Sequence, residues 1–319
     1  MPSTADYLLI GAVAAIVTFG ATPVVGWIAF RLGWLYQPTE RTVHTTPMPA
    51  IGGLTPMAGE KMEEGAMRLE GRTAIVTGGA KGIGAHYSRA LADAGAEVMI
   101  ADIADGSALA AEIAARTGRN SIDHMTFDVS DEAQCKALVA RTLERFGKID
   151  ILINNAALYA PLPTLSVTDM DVELWDQVMA VNVRGPFLMV KHAAPAMIAR
   201  GYGKIVNIGS GTVARGIPDF SHYVTSKGAV TAFTRCMSRE LGAHGIRVNT
   251  LAPGYTLSDT GLTNAVHVEQ SRAAAIARRA LKRDEYPEDL LGTLVYLCSP
   301  DSDFMTGQVL TVDGGANNT

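Results

Sequence analysis

From residue 67 onward the chain alternates short apolar, β-branched runs with longer stretches whose apolar positions recur every three or four residues. The short runs fall at 73–76, 97–101, 124–127, 149–153, 204–208, 247–251 and 309–312. They are nearly all apolar rather than alternating, as strands buried on both faces are. The amphipathic stretches at 83–94, 132–146, 172–199 and 223–243 read as helices. This repetition predicts an α/β fold, a doubly wound parallel sheet of about seven strands with helices on both faces. Ligands of such sheets bind beyond the carboxyl ends of the strands, so the residues just after each strand carry the chemistry.

The N-terminal part reads differently. Residues 7–30 carry no charge and include Leu8, Leu9, Ile10, Val13, Ile16, Val17 and Trp27. At about 1.5 Å per residue, one hydrophobic helix over this run is long enough to cross a bilayer, and membrane helices tolerate a residue such as Pro23. The run is too long for a signal peptide, and no basic segment precedes it. Arg31 and Arg41 follow it, whereas Asp6 is the charge before it. That asymmetry predicts a cytoplasmic catalytic domain anchored to the inner face of the membrane. A buried core helix is the alternative. The predicted organisation is a hydrophobic helix and loop at 1–54, a Met-, Gly- and Glu-rich linker at 55–68, and the α/β domain at 69–319. Whether residues 1–60 are a membrane anchor or a fusion of unrelated reading frames stays open.

Of the 319 residues, 48% are hydrophobic and 18% charged, ample for a large core. The net charge of −5 comes without a basic stripe, so nucleic acid is not an expected partner. Cys135, Cys236 and Cys298 are far apart and match no metal-ligand spacing.

The first strand runs into Thr77-Gly78-Gly79-Ala80-Lys81-Gly82-Ile83-Gly84, which opens a helix. Glycines there permit a tight turn and bring backbone amides against a pyrophosphate at the helix N-terminus, which makes the sheet Rossmann-type. Asp102 ends the second strand, where a carboxylate receives the adenine-ribose hydroxyls and repels a 2′-phosphate. With apolar Ile103 after it, NAD is favoured over NADP, although Lys81 argues mildly the other way. Asp128 and Val129 close the third strand; Asp128 is placed to meet an adenine amino group or to cap the next helix. Asn154-Asn155-Ala156-Ala157 closes the fourth, its small residues letting a cofactor lie on the backbone. Pro253-Gly254 would turn the chain beneath a nicotinamide, with Thr256 or Thr260 in reach of it.

Tyr223 and Lys227 are four apart and share one helix face. A lysine ammonium beside a phenol favours the phenolate, lowering its pKa from about 10 and fitting the tyrosine for proton transfer. Ser210, at a strand end, stands where it can meet the same substrate oxygen. Asn182 lies inside a long apolar helix pattern and needs a partner. His222 is expected to point away at the helix start.

Together these motifs resemble the short-chain dehydrogenase/reductase family over about 68–315. Gly78, Gly82 and Gly84 fit its Thr-Gly-x-x-x-Gly-x-Gly turn; Ala157 stands where its Asn-Asn-Ala-Gly motif has glycine; Asn182, Ser210, Tyr223 and Lys227 match its catalytic tetrad. The resemblance implies an NAD(H)-dependent oxidoreductase interconverting a secondary alcohol and a ketone. Tyr223 would be the general acid/base, Lys227 would lower its pKa and hold the nicotinamide ribose, Ser210 would bind the substrate oxygen, and Asn182 would hold a relay water. It also implies a homotetramer, through the ending around 304–315. The alternative is a membrane-tethered NAD-binding scaffold or sensor without turnover, against which the intact tetrad counts. The stretch 257–287 is expected to cover the pocket; its basic run Arg278, Arg279, Lys282 and Arg283 reads better as a solvated helix face than as an anion site.

Residues 1–54 resemble the first span and loop of the polyprenyl-phosphate N-acetylhexosamine-1-phosphate transferases, on Arg41, His44, Pro47, Pro49, Gly52 and Gly53. That family's further spans and metal-binding aspartates have no counterpart here, so no transferase activity is inferred.

Overall fold

The computed structural model describes residues 35–36, 48–49, 68–159, 162–259 and 265–317, the side chains of 35–36, 48–49 and 265–271 excepted. The chain divides into two compact units, Met1–Gly65 and Ala66–Thr319. In the first, the described residues form one antiparallel pair, Leu35–Tyr36 with Met48–Pro49. The hydrophobic run 7–30 lies outside the described residues. No described helix is long and apolar enough to cross a membrane.

The second unit carries seven strands: β1 (Thr73–Thr77), β2 (Glu97–Asp102), β3 (Ile122–Thr126), β4 (Ile151–Asn154), β5 (Gly203–Ile208), β6 (Ile246–Pro253) and β7 (Val309–Val312). All pair in parallel, in the order β3-β2-β1-β4-β5-β6-β7. The order reverses between β1 and β4, which opens a crevice at their carboxyl ends. Strands β1, β4 and β5 are buried at every position, which explains their continuous apolar runs.

The helices are α1 (Gly82–Asp93), α2 (Ser107–Thr117), α3 (Glu132–Phe146), α4 (Val172–Met179), α5 (Gly185–Arg200), α6 (Ser221–Leu241), α7 (Ala265–Arg278) and α8 (Glu288–Cys298). Alternate residues of each strand feed opposite cores. Val76, Ile100 and Ile153 pack with Leu91 of α1, Ile113 of α2 and Leu294 of α8. Ile75, Met99 and Leu152 pack with Leu138 of α3, Met189 of α5 and Leu241 of α6. The pattern predicted one helix over 172–199. A π-helical turn, Ala180–Arg184, interrupts it and carries Asn182. Such turns insert an extra residue and free backbone groups, often at functional sites.

Candidate active site

The crevice floor is the turn between β1 and α1. Gly78 and Gly82 have φ of 60° and 53°, a left-handed region that favours glycine. A Cβ on Gly84 would lie 1.9 Å from the Gly78 carbonyl oxygen, so helix and turn touch backbone to backbone. The loop after β4 locks the turn from the other side. Asn155 Nδ2 donates to the Thr77 and Gly78 carbonyls at 3.0 and 2.9 Å. Thr77 Oγ1 accepts from the Asn155 and Ala156 amides, both at 3.1 Å. Ala157 follows in that loop. Lys81 occupies the N-cap position of α1 without a capping side-chain bond, and no acidic residue stands in the first turn. The first-turn amides around Ile83 are thus left for an anion, as a pyrophosphate requires.

Asp102 closes the adenosine side. Its two carboxylate oxygens accept the Ala80 and Ala104 amides at 2.9 and 3.0 Å, tying the end of β2 to the glycine turn. Each oxygen keeps a lone pair for a ribose hydroxyl. Beside it Ile103 is exposed, an apolar surface for an adenine. Asp128 does not cap α3; Asp131 does, accepting from Ala133 and Gln134. Asp128 instead orders its own turn, accepting from the Ser130 amide and hydroxyl at 2.8 and 2.7 Å. Val129 turns its side chain into the core, where a Cβ on Gly185 would meet it at 2.9 Å. Its contact with a cofactor is therefore limited to backbone. These features fit a dinucleotide.

On the other side of the crevice stands the amino end of α6. Tyr223 and Lys227 are both buried. A buried polar chain sets this helix on the sheet: Asn154 Nδ2 donates to Asn207, Asn207 to Thr234, and Thr234 bonds Thr250, each at 2.8 Å. Asn182 positions it from a second direction. Its Oδ1 accepts the Leu158 amide at 2.7 Å, and its Nδ2 donates to the Leu158 carbonyl and, at 3.0 Å, to Ser226 Oγ. Ser226 in turn donates to the Tyr223 carbonyl at 2.7 Å. The Asn182 side chain is thus committed to bracing the loop after β4 against α6.

The expected lowering of the Tyr223 pKa is not what the isolated protein shows. Burial pushes the phenol well above its ordinary value, Tyr159 adds to this, and a hydrogen bond with Ser210 pulls the other way. Lys227 stands over the Tyr223 ring, its Nζ 5.7 Å from the centroid, and donates to the Ile208 carbonyl at 2.7 Å. Its own burial lowers its pKa to about 8. Helical spacing brings the two together, but at this separation desolvation outweighs their coupling.

Aromatic rings wall the substrate side. Tyr159 lies 5.0 Å from Tyr223 and Phe220 5.1 Å from it, centroid to centroid. His222 does not point out to solvent; it is fully buried, edge-on to Phe220 at 5.2 Å, and its burial holds the imidazole below its ordinary pKa.

Pro253-Gly254 turns the chain after β6, and the Thr256 side chain that follows is engaged by Glu285. Its Oγ1 donates to Glu285 Oε1 at 2.7 Å, and the Gly254 amide donates to the same oxygen at 3.1 Å. Glu285 is held by Arg279 at 3.1 Å, both nearly inaccessible. Arg279 is therefore a structural cation, not part of a solvated face. Nothing in the sequence marks Glu285, because a lone glutamate in a lid-like stretch gives no signal of its own. Thr260 lies outside the described residues. Among the described residues no His, Cys, Asp and Glu cluster could hold a metal ion.

Comparison with known proteins agrees with this geometry. A protein-family model described as Enoyl-(Acyl carrier protein) reductase matches residues 78–317. The chain is 34% identical over 251 residues to the 3-oxoacyl-[acyl-carrier-protein] reductase FabG of Thermotoga maritima, covering 78% of this chain and 99% of that one. It is 38% identical over 244 residues to the cis-4-hydroxycyclohexanecarboxylate dehydrogenase of Sinomonas cyclohexanicum, covering 76% and 96%. It is 36% identical over 258 residues to the galactitol 2-dehydrogenase of Agrobacterium fabrum, covering 78% and 98%. The crystal structure of levodione reductase superposes with a TM-score of 0.72 at 28% identity, over 77% of this chain and 98% of that one. The family-model match leaves out residues 1–54, and the transferase resemblance of that stretch is not shown by these comparisons.

Proposed function

The chain belongs to the short-chain dehydrogenase/reductase family, NAD(P)-dependent enzymes acting on CH–OH groups, and on that premise we propose that it interconverts a secondary alcohol and a ketone, with NAD preferred and Tyr223 passing the proton. The observation that carries this reading is the buried pair at the start of α6: Tyr223 and Lys227 are both enclosed, and Lys227 Nζ stands 5.7 Å from the centre of the Tyr223 ring.

Bound NAD(P) supplies the hydride acceptor or donor. The glycine turn and the α1 amino end hold its phosphates, Asp102 its adenosine ribose, and the remaining Lys227 protons its nicotinamide ribose. In oxidation Tyr223 takes the hydroxyl proton as the C–H electron pair leaves; in reduction it returns a proton to the carbonyl oxygen. Ser210 holds that oxygen by hydrogen bond. Asn182 keeps α6 in register with the loop after β4; a relay water near it belongs to this proposal.

Asp102 and Ile103 support NAD over NADP. Exposed Phe304 and Val309 in the C-terminal segment support a homotetramer. Anchoring through 7–30 rests on the sequence, and membrane fractionation of 1–319 beside 67–319 tests it. For the chemistry, Tyr223→Phe is expected to cut turnover of secondary alcohols by about 10²–10⁴-fold while NADH still binds with its usual fluorescence change. Undiminished turnover would sink the reading.

A further inference from the structure

The loop from Ser210 to Phe220, which joins the two ends of the catalytic pair, also carries Arg215. Its Nε is buried and has no hydrogen-bond partner among the described residues. An arginine cannot shed its charge to escape this, so a buried, unmet guanidinium N–H is a standing cost. Its surroundings do not relieve it. Arg278 and Arg279 from the lid segment lie within electrostatic reach, as does the Tyr159 phenol. The carboxylate in reach is Asp313, and its oxygens already serve the amides of Gly315, Ala316 and Asn317 and the Asn317 side chain.

The other arginines of the lid are paired. Arg272 pairs with Asp284, Arg279 with Glu285, and Arg283 with Asp289. Arg278, at the end of α7, is exposed and has no ion pair among the described residues. Two arginines from separate segments therefore lie within electrostatic reach of one another without an ion pair among the described residues, and Arg215 lies within the same reach of the tyrosine that walls the pocket beside Tyr223. Like charges held close are stabilised by an anion placed between them, and a guanidinium fork suits a carboxylate.

We propose that Arg215, joined by Arg278 of the lid, is the recognition site for a carboxylate on the substrate, so that the enzyme acts on hydroxy acids and keto acids whose reacting carbon is separate from the acid group. This rests on the oxidoreductase reading for the identity of the pocket. The carboxylate enters beside Tyr159, the hydroxyl meets Tyr223 and Ser210, and α7 brings Arg278 over the anion.

The test uses the full chain saturated with NADH and a ligand that cannot react. Cyclohexanecarboxylate is expected to bind at least about tenfold more tightly than cyclohexanecarboxamide in calorimetry, about the worth of one charge-assisted bond. Arg215→Gln and Arg278→Gln should each remove most of that preference and leave amide binding unchanged. Because Arg278 is exposed, its variant keeps the fold even if Arg215→Gln does not. Equal binding of acid and amide, retention of the preference in both variants, or tighter binding of cyclohexyl phosphate than of the carboxylate would each overturn the assignment. Turnover of 4-hydroxycyclohexanecarboxylate and its amide separates the two readings. Oxidation of both at equal kcat/KM removes the carboxylate site and leaves the enzyme; tight acid binding with oxidation of neither removes the enzyme and leaves the site.

Discussion

Lys227 is held charged at a place that disfavours charge, and the cost is measurable. Burial lowers its pKa to about 8 from 10.5. Each pKa step is worth about 1.4 kcal/mol, so at neutral pH the buried ammonium destabilises the fold by about 3 kcal/mol relative to an unfolded, solvated lysine. The sign follows from proton counts. Between the two pKa values the unfolded chain binds the proton and the folded chain does not, so stability rises with pH. From pH ~7 to ~9.5 this one residue should add about 2 kcal/mol to the stability of the wild type. Lys227→Met removes that dependence. It also leaves the Ile208 carbonyl unmet, a loss of about 1–3 kcal/mol that does not change with pH and so drops out of the comparison. Tyr223 stays protonated across the window in both proteins. The assay is urea unfolding of the full chain without cofactor, with ΔG extrapolated at both pH values. The expected result is a double difference of about 2 kcal/mol, with the variant losing turnover. Parallel pH profiles, within about 0.5 kcal/mol, would refute a depressed lysine and with it the desolvated setting of the catalytic pair.

Three further outcomes follow from the geometry. Gly84→Ala places a methyl 1.9 Å from the Gly78 oxygen and should lose dinucleotide binding with a stability loss of roughly 3 kcal/mol or more, read by NADH titration and thermal melting. Asp102→Ala deletes the ribose acceptor and frees the Ala80 amide; kcat/KM for NAD should fall at least about tenfold while that for NADP holds or rises, and an unchanged ratio would remove the basis for NAD preference. Glu285→Gln keeps acceptors for the Gly254 amide and Thr256 but leaves Arg279 buried without its counter-charge, so about 3 kcal/mol of stability should go, together with a raised KM for the cofactor.

Much of this molecule is written locally. The seven strands stand close to where their runs of apolar residues put them, because a strand covered on both faces must be apolar at successive positions. The glycine turn is legible because a left-handed φ at Gly78 and contact at Gly84 admit little else, and the reversal of strand order then locates the crevice. The spacing of Tyr223 and Lys227 specified that they are neighbours. What they do to each other was decided elsewhere: Tyr159, far away in sequence, joins Phe220 against the Tyr223 ring, and desolvation reversed the direction expected for the phenol. The same holds around it. Asn182 sits in a π turn bonded to Leu158, Thr256 turns to Glu285, and His222 is enclosed by its surroundings. Within one basic run Arg279 is a buried strut while Arg278 stays unpaired. Periodicity and turn chemistry are properties of neighbours along the chain and survive in the sequence alone; burial, charge pairing and the direction of a hydroxyl depend on which distant segments arrive, and these only the tertiary structure supplies.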